Sequence, residues 1–468
     1  MLTKKDLLQA HRLMTQRASQ GLILGEPDSP EQPLRRLNVA VFSGVMLAVL
    51  VAAGFGVVGL LRSGGATGLQ QTGMILIEKE TGTRYVWCDS NMTTLCPVIN
   101  YSSAKLLAGS GGSAQQKLVS RDSLSKFQRG ALIGIPGAPD SLPGSGKLVK
   151  MPWSVCVRSA DTGLAGRTSF VSLLAGSDAG GTALRDDQAV LVQAEGQPWL
   201  LWRNNRMRVQ ANEVSGLSPT ASPVQISAKW LNALPEGAPF KAPEVPGRGT
   251  PTASGPQGSG TVGQLYTSPT VDGKAWYVLM PDGLARISEI EGQLMKLDPA
   301  AAQSSNPVSI SPAVLNSAPK HKGTITSAAL QAKMPTFVPY ADTSALCAIY
   351  RDQSGNNGPA VTVGGTLPTP PQNASGGADS VDQLIFPPGR AALAGVLPSQ
   401  GRLSAVSTYY LVAEGRRFPL SSPDVAAKLG YTIGTDAIPI PANVLGLIPT
   451  GPALDPAAAK NPVNLSGG

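Results

Sequence analysis

From Val39 to Leu61 the chain carries 23 consecutive residues without a charged side chain. A helix of that length is about 34 Å long, enough to cross the hydrocarbon layer of a bilayer with some tilt. Inside hydrocarbon the backbone must satisfy its own N–H and C=O groups, so the segment is expected to be a transmembrane helix. No other stretch of the 468 residues is comparable. A cleaved signal sequence has a shorter apolar core with a small-x-small site behind it. Here the run is followed by Arg62-Ser63-Gly64-Gly65, which predicts an uncleaved anchor over 39–61.

The flanks orient the anchor. Residues 1–38 carry Lys4, Lys5, Arg12, Arg17, Arg35 and Arg36, whereas Arg62 is the sole cation between the span and Lys79. By the positive-inside rule the short N-terminus is cytoplasmic and the C-terminal bulk is external, on the periplasmic or cell-wall side of the cytoplasmic membrane. Gly44, Ala48, Ala52 and Gly56 recur every four residues and form a small-residue face against which another membrane helix can pack. Ahead of the span, Thr3 to Gln20 reads as one amphipathic helix, with Thr3 and Asp6 as a variant capping box and Gly21 as its end. Its apolar face, built from Leu7, Leu8, His11 and Met14, is expected to dock on a partner or on the membrane surface. A proline-rich link with Pro27, Pro30 and Pro33 leads from there to the membrane.

All four cysteines, Cys88, Cys96, Cys156 and Cys347, fall on the external side, where disulfides persist. Four cysteines allow three pairings. Cys88 closes the strand-like run Tyr85-Val86-Trp87 and Cys96 opens Pro97-Val98-Ile99, so a staple across that hairpin is natural and leaves Cys156 with Cys347. The spacings are unlike those of zinc sites, and the histidines are His11 and His321 alone, so no metal is expected.

The external region repeats itself. Three hairpins share an apolar strand, a tight turn and a second strand: Trp199 to Trp202, then Asn204-Asn205; Trp276 to Leu279, then Asp282-Gly283; Tyr409 to Val412, then Glu414-Gly415. Each is followed by the phrase I-x4-L-x3-P, at Ile226, Leu231 and Pro235, at Ile310, Leu315 and Pro319, and at Ile440, Leu445 and Pro449. A looser copy runs from Arg84-Tyr85-Val86-Trp87 through Val119 and Leu124 and departs at the last position, Gln128. A hairpin with one short helix cannot bury its own apolar face, so such units must pack together.

The expected fold is α+β: a transmembrane helix and four small hairpin-helix repeat domains around a central, mainly β domain. The divisions read as 74–130, 196–245, 264–320 and 401–451 for the repeats, 131–195 with 321–400 for the central domain, and 452–468 for a mobile tail. Segments rich in Gly, Pro, Ser and Thr at 243–263 and 354–380 mark breaks.

Chemistry is scarce. Gly144-Ser145-Gly146-Lys147 lacks the glycine and the Ser/Thr that a phosphate loop requires at 141 and 148. His321, in Pro319-Lys320-His321-Lys322-Gly323, reads as a solvated turn and has no catalytic set around it. Net charge +8 with 6 Trp, 9 Tyr and 8 Phe, and no long basic run, argues against nucleic-acid binding. No cofactor is expected.

These features together resemble EccB, the single-pass core component of actinobacterial type VII (ESX) secretion systems. The resemblance is carried by Gln9-Ala10-His11-Arg12, Pro30 to Arg36, Tyr101 to Leu106, Ile133 to Pro139, Trp153 to Cys156 and Tyr277 to Gly283. It implies four repeat domains around a central domain with a disulfide, here Cys156 to Cys347. It also implies membership of a membrane complex with EccC, EccD and EccE, and external domains that associate with one another. The Cys88 and Cys96 pair is not part of the family's pattern. The family often carries an ATPase label, yet the residues here offer no phosphate loop, and the motor is expected to be EccC. The function expected is therefore that of an assembly subunit of a secretion complex, set against two alternatives: an external hydrolase and a tethered cell-wall-binding protein.

Overall fold

The structure is a computed structural model that describes all residues except 1–2, 26–32, 62–66, 110–113, 162–166, 211–212, 215–221, 272, 299–305, 328–329, 331–332, 355–357, 370–375, 398–405 and 464–468. Most of the proline-rich link lies outside the described residues. The chain forms two compact bodies, residues 1–68 with 119–126, and residues 69–118 with 127–468.

In the first body, a helix spans Lys4–Leu24. Asp6 Oδ2 accepts from Thr3 N at 3.0 Å and from Thr3 Oγ1 at 2.6 Å, which holds the Asp6 carboxyl below its usual range. The helix does not end at Gly21, as its sequence suggests, but runs a further turn. A glycine inside a helix costs only about 1 kcal/mol. The true stop is Gly25, whose left-handed φ of 69° lets its N–H donate to the Gly21 carbonyl at 3.2 Å. The second helix is Pro33–Leu61, with Pro33 at the first helical position, where its missing N–H is no loss. The window Arg36–Val58 has a mean hydropathy of 2.4.

The second body is mainly β. Repeat two is the sheet Gln188–Ala194, Gln197–Trp202, Asn205–Arg208 and Val224–Gln225. Repeat three is Leu265–Thr270, Gly273–Met280, Gly283–Ile287 and Val308–Ser309. Repeat four is Ala392–Leu397, Tyr409–Ala413, Arg416–Pro419 and Ala437–Pro441. In all three, the first three strands form an antiparallel meander and the fourth lies parallel to the first. Repeat one has the same spatial order, built from Met74–Glu78, Arg84–Trp87, Thr94–Val98 and Gln115–Val119, with Gln128–Arg129 parallel to its third strand.

The I-x4-L-x3-P phrase now has a physical meaning. Its isoleucine stands at the end of the fourth strand, one residue past it at Ile226 and Ile310 and one before its last residue at Ile440, and is buried in each copy, and a short helix follows it. The residue after the proline then pairs in parallel with the third strand: Glu236 with Arg206, Lys320 with Leu284, Thr450 with Arg417. The proline carbonyl accepts from the N–H of that strand residue at 3.0, 2.8 and 2.9 Å. A proline suits this position because only its carbonyl is used. Gln128 replaces it in repeat one without loss of the pairing, since Arg129 lies opposite Leu95.

Two sequence-derived boundaries move. Strand Gln188–Ala194 falls in the stretch that the sequence assigns to the central domain up to 195, and Ala392–Leu397 in the one up to 400, yet each pairs as the first strand of a repeat sheet. Both are continuous apolar runs, and periodicity cannot say which sheet such a run joins. Two turns also shift by one residue. Repeat two turns at Arg203 and Asn204, both left-handed at φ 50° and 61°, and repeat three turns at Pro281-Asp282 because Met280 pairs with Gly283.

Gly283 has φ 142°, and a Cβ there would lie 2.5 Å from the carbonyl carbon and oxygen of Pro319. That close approach is the bridge that closes repeat three. Gly283→Ala is expected to destabilise the external body by about 2–3 kcal/mol, through backbone strain and a clash with atoms that cannot move away. Urea unfolding followed by tryptophan fluorescence checks this.

The central sheet runs Gln383–Ile385, Arg167–Ala175, Trp153–Asp161, Ala345–Tyr350, Ala360–Gly365 and Thr182–Ala183. One of its faces, with Val155, Leu173 and Ala348, shares a core with Leu201 and Trp230 of repeat two and with Val412 and Leu445 of repeat four. Repeat four also packs on repeat one through Leu106 and Phe418, and repeat two on repeat three through Trp202, Phe240 and Leu294. Repeats two and four therefore flank the central sheet directly, and repeats three and one attach to them.

Candidate functional site

The distinctive elements among the described residues are a membrane-length helix, an N-terminal amphipathic helix with an exposed apolar stripe, and two disulfides. The anchor's large side chains, from Val39 to Val58, are exposed, as lipid-facing residues should be. Gly44 and Gly56 have open space where a side chain would stand, and Ala48 and Ala52 are likewise exposed.

On the first helix Leu7, Leu8 and Met14 are 60–77% exposed. His11 belongs to the same stripe, with its Nδ1 3.3 Å from the Thr15 hydroxyl, which donates to the His11 carbonyl at 2.6 Å. The extra turn adds Leu22, 88% exposed and about 60° around the helix from Leu7, so the apolar stripe is longer than a helix ending at Gly21 would allow.

Cys156 is bonded to Cys347, and Cys88 to Cys96. The first pair joins residues directly opposite each other in the adjacent central strands, both fully buried. The second is diagonal: Cys96 lies inside its strand opposite Val86, while Cys88 lies one residue beyond the facing strand and donates its N–H to Thr94.

A motif that sequence reasoning missed also recurs. An aromatic residue at one position of the second strand carries a guanidinium over its ring: Arg129 on Tyr85 at 4.4 Å, Arg206 and Arg208 on Trp199 at 5.3 and 5.2 Å, Arg417 on Tyr410 at 5.4 Å. The signal was present as an aromatic followed seven residues later by arginine, at Trp199 and Tyr410. Repeat three has Leu284 at the matching position behind Tyr277.

The remaining candidates are structural. Gly144 to Lys147 forms a single 3-10 turn followed by extended Leu148, so no helix N-terminus stands behind it to receive a phosphate. His321 is not a freely solvated turn residue. Its Nδ1 lies 2.6 Å from Asp282, whose carboxyl is held low by that contact, and the pair ties the hairpin turn of repeat three to the segment past Pro319 that bridges to Leu284. Among the described residues no group of three or more His, Cys, Asp or Glu could hold a metal ion.

A family model described as "Type VII secretion system ESX-1, transport TM domain B", EccB, matches residues 1–463. The ESX-1 secretion system ATPase EccB1 of Mycolicibacterium smegmatis (strain MKD8) is 26% identical over 470 residues, covering 98% of this chain and 95% of that protein. Among solved structures, a chain of an intact ESX-5 inner membrane complex superposes with a TM-score of 0.64 at 22% identity, covering 100% of this chain and 97% of its own. The EccB3 dimer from the ESX-3 core complex gives 0.62 at 24% identity, covering 82% and 99%. The mixed α and β fold, with one membrane-length helix among the described residues and a mainly β body, is thus a shared one, and the chain belongs to the EccB family of type VII secretion membrane subunits.

Proposed function

We propose that this chain anchors and links the external part of a type VII secretion complex in the cytoplasmic membrane, acting through surfaces and without chemistry of its own. The observation that carries the reading is the pairing of one membrane-length helix, among the described residues, with an N-terminal amphipathic helix whose apolar stripe is exposed there. The charge asymmetry of the flanks supports a cytoplasmic position for that helix and an external one for the β body. Leu7, Leu8, His11 and Met14 dock on subunits of the EccC, EccD and EccE type, and the external bodies associate with one another, a reading supported by the dimer that the similar EccB3 forms in the ESX-3 core complex. The repeats are best bounded as 69–130, 188–245, 264–320 and 392–451, with the central domain from 131–187 and 321–391.

The name of the relative EccB1 includes "ATPase". In this chain the glycine-rich turn at 144–147 lacks the geometry to hold a nucleotide, and hydrolysis is assigned to a partner. Purified protein free of partners should therefore show no ATP turnover above a heat-inactivated control.

Gly44, Ala48, Ala52 and Gly56 form the seam against a partner span. Replacing Ala48 and Ala52 together with leucine fills that seam, and recovery of membrane partners in mild detergent is expected to fall several-fold while the protein remains membrane-inserted. Unchanged recovery removes the packing role of this face.

A further inference from the structure

We propose that the Cys88–Cys96 disulfide is a latch. It holds the loop Asp89–Thr93 in the shape that grips Leu69 and Gln70, the first residues of the external body after the membrane helix. In repeats two and four the second and third strands are joined by two residues, Arg203-Asn204 and Glu414-Gly415. In repeat one the same connection runs from Cys88 to Thr93, between strands ending at Trp87 and starting at Thr94, and it is the stapled one. Repeat one is also the repeat that receives the chain from the anchor.

The grip has two jaws. Trp87, next to Cys88, donates its indole Nε1 to the Leu69 carbonyl at 3.0 Å, with its ring set edge-on against Phe127 at 5.0 Å. Across the loop the Met92 carbonyl accepts from Gln70 Nε2 at 3.0 Å. Met92 is left-handed at φ 53°, a conformation that a non-glycine residue keeps only where its surroundings impose it. The imposing contacts are in place: the Asp89 carboxylate accepts from Thr93 N, Thr93 Oγ1 and Thr94 N, and Cys88 N donates to Thr94 O at 3.1 Å. The staple sits against Gly130, where a Cβ would come within 2.5 Å of Cys96 Sγ and 3.3 Å of Cys88 Sγ. Leu69 itself is buried.

Seven residues separate Leu61, the end of the membrane helix, from Leu69. Whatever holds Leu69 therefore fixes the residue at which the chain enters the external body. That the gripped segment is a membrane exit rests on the reading of Pro33–Leu61 as the anchor; the grip itself does not.

The test is hydrogen–deuterium exchange on the full chain in detergent micelles, comparing the unaltered protein with Cys88→Ala/Cys96→Ala and with Trp87→Phe. In the double variant, exchange in peptides covering 69–73 and 89–94 should accelerate by about tenfold or more. In Trp87→Phe it should accelerate at 69–73 alone. The strand Tyr409–Ala413 should keep its protection in both. Unchanged exchange at 69–73 in the double variant overturns the proposal. So does acceleration throughout the body with 69–73 untouched by Trp87→Phe, because the bond is then a general stabiliser. If instead the anchor reading fails, the chain stays in the aqueous phase without detergent while the exchange pattern persists, so the two failures are distinguishable.

Discussion

Replacing Cys156 and Cys347 together with alanine is expected to cost the external body about 5 kcal/mol of stability. The bond closes a segment of 191 residues that contains repeats two and three entire. A cross-link over so long a loop removes more freedom from the unfolded chain than the eight-residue staple at Cys88, whose effect is expected to stay local to repeat one. Alanine is the informative replacement, because both sulfurs lie in a fully buried apolar layer with Leu174, Ile349 and Leu367, where a serine hydroxyl would lack a partner. Domains of this kind have only about 5–15 kcal/mol in hand, so the variant should be close to unfolding at growth temperature. The urea midpoint of the double variant against the unaltered protein measures the effect. A drop no larger than that of the Cys88/Cys96 variant would mean that the central strands hold their register without help.

Trp230→Ala should be nearly as damaging, at about 3–5 kcal/mol. Trp230 stands on the short helix Ala228–Leu231, has no exposed surface, and fills the core shared by repeat two and the central sheet. Its indole Nε1 donates to the Val155 carbonyl at 2.8 Å. Beside it, the Tyr350 hydroxyl of the central sheet donates to the Ala233 carbonyl, just past the same helix, and burial raises the Tyr350 phenol far enough to keep it a donor at any physiological pH. Trp230→Phe separates the contributions. It keeps most of the packing and removes the hydrogen bond, so about 1–2 kcal/mol should be lost. If alanine and phenylalanine cost the same, the hydrogen bond rather than the filled volume is what docks repeat two.

Much of this fold was legible in the residues. The anchor needed only an uncharged run of membrane length, and the repeats were visible because buried isoleucine and leucine recur at a fixed distance from a proline whose carbonyl the third strand uses. The helix end at Gly25 was harder to see, because two glycines competed for the role and only the left-handed one could stop the chain. The first strands of repeats two and four were misplaced because a run such as Ala189-Val190-Leu191-Val192 is apolar on both faces. Such a run can join either neighbouring sheet, and here its outer pairing with Thr336-Phe337 completes the burial. The guanidinium over the aromatic of repeats two and four is hard to see in the sequence because the seven-residue offset links two strands of a hairpin, a relation visible only once the turn is placed.

The docking role of the N-terminal helix is tested most directly by solubilising the chain from native membranes in mild detergent and identifying its companions by mass spectrometry, with and without residues 1–20. The full chain should run in a large complex with a multi-spanning protein and an ATPase, and the shortened chain should lose most of it while remaining in the membrane. A full chain that runs alone, or a shortened chain that keeps every companion, would contradict the assignment of this helix as the docking element of an assembly subunit.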